Sequence, residues 1–405
     1  TASLVQESAP ERLWNPSELF SQIYFATENA PLSQQTMSML REQTHAWLLD
    51  SNPAHSAPSK EPGVQQTRIA YDERRRADAV FGEYEFALRD PIAREITLRT
   101  TEWDKVVKTP ALIWLKKYLG VENEDPDLNQ WAAATGTWVH DWLASIGGNE
   151  NQNVFVEFPT PSQIKERISQ AATANRKMVT DICTSIGRPL PDWWTSGWSN
   201  AFALVRFLAS KLAEVETSPQ LATEWSLDSQ IVSLGDGNNL RVRGRIDLIL
   251  ARKRPNDSQL TGANVWIVDY KTGTVRSLVA SGRTDEARIA NLRKKLVRGD
   301  AIQLGLYGLA ARELGAADID LSILSLRTDL DKPQLKIDAL AAFSDFWNEL
   351  YEMQERGVFG LRGAIRNGFG FSPDYPLATL PIDKEFLDEK WVLTHPAFAD
   401  DEEAW

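Results

Sequence analysis

In the stretch VWIVDYKTGT (265–274), a run of apolar residues ends in Asp269 and, two positions later, Lys271. Strand residues two apart share a face, roughly 6.5–7 Å from one another. Val265, Ile267, Asp269 and Lys271 therefore fall on one side, with Trp266, Val268 and Tyr270 on the other. Both sides are apolar up to the strand end, as in a sheet covered by helices on both faces. An acid and an ammonium leaving a rigid strand side by side can hold and orient a reacting group. Taken alone, such a triplet is better read as a solvated strand end or a weak surface ion pair.

The preceding apolar run changes that balance. In LRVRGRIDLIL (240–250), Leu240, Val242, Ile246, Leu248 and Leu250 alternate with Arg241, Arg243, Arg245 and Asp247. Gly244 allows close approach of a backbone or a phosphate. If the two runs pair as a hairpin, Asp247 and Asp269 converge. Neighbouring carboxylates raise each other's pKa unless a cation sits between them. A hard divalent ion fits, since it takes carboxylate and carbonyl oxygens while keeping waters. It makes such a water acidic enough to attack a phosphodiester. Lys271 then orients the attack or offsets charge growing on the phosphate.

The segments GRIDLI, IVDYKTG and QLGLYGLAA (303–311) resemble the PD-(D/E)xK nuclease superfamily, in its RecB-like branch. The resemblance implies an α/β fold with a restriction-endonuclease-like core, a mixed central sheet flanked by helices. It makes Asp247 a metal ligand, Asp269 and Lys271 the D/E-x-K pair, and Tyr270 the donor of a backbone carbonyl to the metal. Gln303 and Tyr307 match a Q-x-x-x-Y helix beside the site, and their four-residue spacing places them on one helix face. His140, in GTWVHDW, matches an upstream helix of the branch. A lone histidine beside an apolar face is usually structural, but imidazole at a mixed N/O site suits Mn²⁺ as well as Mg²⁺. Glu224, in TEWSL, resembles the acid that begins the first core strand and is a further candidate ligand.

FGEYEFALRDP followed by TTEWDKVVKTPALIWLKKYLGVE is similar to the lead-in of the nuclease domain in AddB-type helicase–nuclease subunits. Those relatives have a Cys-Pro pair where this chain has Thr109 and Pro110. With Cys183 as its one cysteine, the chain cannot assemble their iron–sulfur cluster. The resemblance covers about residues 80 to 345. It implies a Mg²⁺- or Mn²⁺-dependent deoxyribonuclease acting on single-stranded DNA or DNA ends in end processing, repair or defence. No G-x-x-x-x-G-K-[ST] loop occurs, so a motor is expected in a helicase subunit or an upstream helicase domain. Two alternatives stay open: a catalytically silent module that grips DNA or a partner, and a freestanding nuclease acting on RNA.

The elements that must position these residues follow from periodicity. The chain has 405 residues, 42% of them apolar, with fifteen Trp. Residues 11–50 read as two helices and 51–66 as a Pro- and Ser-rich linker. A helix is expected over 98–120, capped by Thr101 with Asp104 in the capping-box position, with Pro110 beginning or kinking a second set of turns. Another spans 128–146, with Val139, Trp142, Leu143 and Ile146 on one face. Residues 160–217 are helical in pattern with a break at GRPLPDWWTSGW. Strands follow at EWSLDSQIVSL, NNLRVRGRIDLILA and NVWIVDYKTG, then helices over 284–298 and 300–315, a strand at 320–326, and a helix over 338–357. The remainder is loop-like and ends in the acidic ADDEEAW.

This organisation gives an N-terminal helical segment and linker (1–70), a nuclease domain (71–345) with a helical insertion near 160–217 and a catalytic core near 221–326, and a C-terminal extension (346–405). The chain does not begin with Met, and it is expected to be a piece of something longer. Its net charge of −12 argues against nucleic-acid binding through bulk charge, which leaves local basic surfaces. The candidates are Arg241, Arg243 and Arg245, with Arg276, Arg283, Arg288, Arg293, Lys294, Lys295 and Arg298 after the active strand. Trp193, Trp194 and Trp198 are expected to fill a helical core, with base stacking as the alternative. Cys183 is expected to be a small buried filler. No apolar run is long enough to span a membrane, no secretory signal layout opens the chain, and one cysteine fits a reducing cytoplasm.

Overall fold

The chain's β-rich apolar runs pair into a single sheet. Strands β1 (Val156–Glu157), β2 (Gln220–Ser233), β3 (Asn239–Ala251), β4 (Asn264–Tyr270), β5 (Asp318–Leu324) and β6 (Leu335–Lys336) lie side by side in sequence order. Neighbours are antiparallel except β4 and β5, which are parallel. A hairpin of β7 (Gly363–Ile365) and β8 (Phe371–Pro373) stands apart from this sheet. The structure is a computed structural model. It describes residues 96–121, 130–148, 153–215, 220–235, 237–252, 260–273, 282–365, 371–373 and 384–399, together with 65, 76, 78–82, 85–88, 278 and 279. Apart from Gln65, the helices and linker expected over 1–70 lie outside the described residues, as do Arg276 and the acidic tail.

The helices are α1 (Thr100–Val106), α2 (Pro110–Trp114, continued by a π-helical turn Leu115–Leu119), α3 (Gln130–Ala144), α4 (Pro161–Ser185), α5 (Trp194–Ala213), α6 (Asp285–Val297), α7 (Ile302–Glu313), α8 (Ile337–Ala341), α9 (Ser344–Arg356) and α10 (Lys384–Thr394). They cover both faces of the sheet, as the two-sided apolar pattern of β4 requires. On one face, Val265 and Ile267 of β4 join Leu304, Leu306 and Tyr307 of α7, Trp103 of α1 and Phe346 of α9 in one core. On the other, Trp266, Val268 and Tyr270 join Val139, Trp142 and Leu143 of α3 and Val205 and Leu208 of α5. The parallel step from β4 to β5 needs a crossover connection, and α6 and α7 provide it.

Trp138, Trp142, Trp193, Trp194, Trp198 and Phe202 pack ring against ring at centroid distances of 5.1–6.5 Å. These aromatics fill the second core. Arginine residues on β3 alternate with buried aliphatics as far as Arg245, after which the strand is buried on both faces. That change marks where β3 passes under the helices.

Four local expectations are corrected. The segment 98–120 divides into α1 and α2 at Pro110, the expected start of a second set of turns, but its N-cap is Arg99 and not Thr101; the Arg99 backbone N–H donates to Glu102 Oε2 at 2.8 Å. Asp104, expected to serve that cap, instead accepts the backbone N–H of Gln303 at 2.8 Å. The C-terminal stretch read as loop-like contains α10, and Leu387, Trp391 and Phe398 enter the first core. Cys183 is partly exposed, because α4 packs through Ile164, Ile168 and Ala172 nearer its start.

Candidate active site

One helix and two neighbouring strands converge on one point. Helix α3 brings His140, β2 brings Glu224 and β3 brings Asp247, and one ligand atom from each lies within 4.8 Å of the other two. Asp247 is held from behind. Its Oδ2 accepts the backbone N–H of Tyr270 at 2.7 Å, and its Oδ1 lies 3.4 Å from His140 Nδ1. Glu224 stands between Thr223 and Trp225, which pair with Leu248 and Ile246. Its φ is +51°, a left-handed conformation that is uncommon for a residue with a side chain and is often found at functional sites.

Asp269 stands outside this set of three. The register of β3 and β4 runs from Ala251 opposite Val265 to Leu248 opposite Val268. One further step places Asp247 across from Asp269. The Asp269 carboxylate is 2% exposed; its Oδ2 accepts from Lys271 Nζ at 2.9 Å, and its Oδ1 is buried with no hydrogen-bond partner among the described residues. Lys271 Nζ also donates to Gln303 Oε1 at 2.8 Å. Gln303 Nε2 donates to the Tyr307 hydroxyl at 3.0 Å, which meets Thr100 Oγ1 at 3.0 Å. The four-residue spacing of Gln303 and Tyr307 thus places both on the face of α7 that looks onto β4.

A cleft of about 790 Å³ opens over these groups, with His140, Glu224, Asp247, Tyr270, Lys271, Gln303 and Tyr307 in its lining. Its electrostatics are those of crowded acids. Burial raises the Glu224 carboxyl above its ordinary pKa, and Asp247 adds to the effect. Burial pushes Asp269 up to about 7 against the pull of Lys271, with Asp247 again raising it. Burial disfavours charged His140, but Asp247, Asp269 and Glu224 outweigh it and raise the imidazole pKa. Lys271 is likewise raised against burial, chiefly by Asp269. A bound divalent cation would relieve this repulsion. The donor set of one imidazole and two carboxylates, with the unpartnered Asp269 oxygen behind it, fits such an ion.

The basic candidates divide by location. Arg243 and Arg245 line the cleft, Arg245 lying 3.7 Å from Glu224 Oε2. Arg293 is tied to Asp345 at 2.6 Å and to the Ala397 carbonyl at 2.8 Å. Lys295 Nζ donates to the Val279 carbonyl at 3.1 Å, and Arg288 pairs with Asp285. Arg241, Arg283, Arg288, Arg293, Lys294, Lys295 and Arg298 are not among the residues lining the cleft.

Three residues that sequence reasoning missed belong to the site: Arg99, Thr100 and Asp104. Arg99 bridges to Arg243 through backbone pairing and shares the cleft wall with it. The spacing of Asp104 suggests a local capping role, and that explanation conceals its long-range bond. The space at Gly244, expected to admit a backbone or a phosphate, is taken instead by the side chain of Thr100, whose Oγ1 would overlap a Cβ there.

The family model of the PD-(D/E)XK nuclease superfamily matches residues 105–374. No curated protein matches the chain.

Proposed function

Because the chain belongs to the PD-(D/E)XK nuclease superfamily, we propose that it is a divalent-metal-dependent deoxyribonuclease. The observation that carries this reading is the convergence of His140, Glu224 and Asp247 within 4.8 Å, with Lys271 beside them in the same cleft. Those three side chains would hold Mg²⁺ or Mn²⁺, and the Tyr270 carbonyl and Asp269 complete the candidate set. When bound, the ion would supply Lewis acidity to the phosphodiester and acidify a water.

The chain's own residues do the rest. Lys271 has three N–H donors, two of which go to Asp269 and Gln303. The third is left for the attacking water or a non-bridging phosphate oxygen, where it offsets developing negative charge. Gln303 keeps the ammonium in place, and Tyr307 fixes the Gln303 amide so that its oxygen faces Lys271. Arg243 and Arg245, with Arg99, neutralise phosphates flanking the scissile one.

The order of His140, Asp247, Asp269, Lys271, Gln303 and Tyr307 along the chain supports placement in the RecB-like branch. The segment from about 80 to 120 supports kinship with AddB-type subunits and hence work beside a helicase at DNA ends. Among the described residues no helix is long and apolar enough to cross a membrane.

The test is cleavage of end-labelled single-stranded DNA, duplex DNA and matched RNA by the purified chain, with Mg²⁺, Mn²⁺ or chelator. Metal-dependent cutting of DNA is expected, with Asp247→Asn and Lys271→Met each lowering the rate by about 10²–10³-fold or more. DNA binding without turnover in any divalent metal would sink the reading in favour of a silent binding module. Cutting confined to RNA would replace the substrate.

A further inference from the structure

The Gln303–Tyr307 pair can support Lys271 only if α7 is itself held in place along its axis. The first backbone N–H groups of a helix have no partner within it, and the N-cap of α7, Ala301, makes no side-chain cap. The Gln303 N–H is satisfied from elsewhere, by Asp104 Oδ1 on α1 at 2.8 Å. One turn further along α7, the Tyr307 hydroxyl meets Thr100 Oγ1 at 3.0 Å. Thr100 and Asp104 are four apart, as are Gln303 and Tyr307, and the bonds run crosswise, 104 to 303 and 100 to 307. Such pairing locks two antiparallel helices in one register, and a slip of one turn, about 5.4 Å, would break both bonds.

Two further features seat α1. Gly244 has no side chain where Thr100 Oγ1 lies, so α1 rests directly on β3 three residues before Asp247. Lys108 Nζ bonds the Gly299 carbonyl at 3.1 Å and so holds the connection into α7.

We propose that α1 is the alignment element of this active site, with Asp104 and Thr100 as positioning residues that act on Lys271 through Gln303 and Tyr307. The inference rests on the nuclease reading above. It assigns a role in the reaction to two residues whose bonds here run to Gln303 and Tyr307 rather than to the metal ligands or Lys271, while the Asp104 charge also favours the protonated Lys271 ammonium. Asp104 sets the axial position of α7. Thr100 sets the Tyr307 hydroxyl, which orients the Gln303 amide.

The test compares Thr100→Val with Thr100→Ser, and Asp104→Ala with Asp104→Asn, in the full chain. The Ser and Asn side chains keep a hydroxyl and an acceptor oxygen, so each is the conservative counterpart of the disruptive change. Steady-state cleavage is measured with saturating Mn²⁺, alongside Mn²⁺ affinity by calorimetry and folding by circular dichroism. Lys105→Ala, an exposed change on the same helix, is the control. Thr100→Val and Asp104→Ala are expected to lower kcat by about tenfold to a hundredfold, with KM and Mn²⁺ affinity within about twofold. Thr100→Ser and Asp104→Asn are expected to recover most of the loss. Folded Thr100→Val protein with wild-type kcat would overturn the proposal, as would a loss confined to KM. Conservative variants as slow as the disruptive ones would show packing alone and also overturn it. Should Asp104→Ala not fold, Thr100→Val and Thr100→Ser decide the matter by the same criteria. Wild-type protein inactive on both DNA and RNA would overturn the nuclease reading itself, and the alignment role with it.

Discussion

A carboxylate gains different properties from its backbone setting than from its neighbours in sequence, and the acids of this cleft show both. Asp247 and Asp269 are recognisable in the sequence because Asp269 comes at the close of an apolar strand run and Asp247 interrupts the aliphatic stretch of β3, where an unpaired charge would be costly. The division of labour between Asp269 and Glu224 was not readable in the same way. It depends on the left-handed φ of Glu224, which no spacing reveals. Glu102 is a second case. It lies in α1, beside Thr100, and accepts the Arg99 N–H and ion pairs from Lys117 and Lys116. Burial lifts its carboxyl, but Lys117, the Arg99 amide and Lys116 outweigh this and hold it below the ordinary 4.5. A depressed folded pKa means that the stabilisation is complete above the unfolded value and disappears as pH falls through the folded one. Glu102→Gln is therefore expected to lose about 1 kcal/mol at neutral pH, the scale of a helix cap. The gap from wild type should close as denaturant melts are moved from pH 6 to pH 3. A gap that stays constant over this range would show that the charge is not the source.

At the scale of elements, β3 and α6 present similar charge in the sequence and very different surroundings in the structure. Both carry closely spaced basic residues, and composition alone makes either a path for DNA. Location separates them, since Arg243 and Arg245 of β3 reach the cleft while Arg293 on α6 is bonded to Asp345 and the Ala397 carbonyl. Packing partners so distant in sequence are set by the tertiary fold, and a charge run holds no information about them. Arg243→Glu is accordingly expected to raise KM for DNA severalfold and to reduce the slope of log affinity against log salt by about one unit for each phosphate no longer neutralised. Arg293→Ala is expected to lower the thermal midpoint with that salt slope unchanged. Filter-binding titrations between low and moderate salt, in chelator, measure the slopes, and thermal melts measure the midpoint. Equal slopes for Arg243→Glu and wild type would remove the β3 wall from the substrate path.

For the molecule as a whole, the candidate metal site joins parts that otherwise belong to separate cores. Helix α3, which carries His140, packs in the core on one face of the sheet, while Asp247 is bonded to the backbone of β4 and Asp269 is linked through Lys271 to α7 on the other face. The sequence made an α/β core with a helical flank visible, since strand runs and helical periods alternate in the order the structure uses; that the sheet is mixed is implied by the family resemblance. It did not show which helices cover which face, because amphipathic periods say that a face is buried and not against what. That missing information is what brings a histidine from residue 140 to an aspartate at 247. An ion bound there would link three elements and relieve the repulsion among Glu224, Asp247 and Asp269, and so would bind the folded chain far better than the unfolded one. At a free concentration of about 100 times the dissociation constant, mass action adds about 2.7 kcal/mol to stability, which amounts to a rise of several degrees in the thermal midpoint for a chain of this size. Mn²⁺ added to chelator-treated protein should give this rise, and Asp247→Asn and His140→Ala should each remove most of it while still melting cooperatively. Variants that gain as many degrees from Mn²⁺ as the wild type would place the ion elsewhere and detach the cleft from metal chemistry.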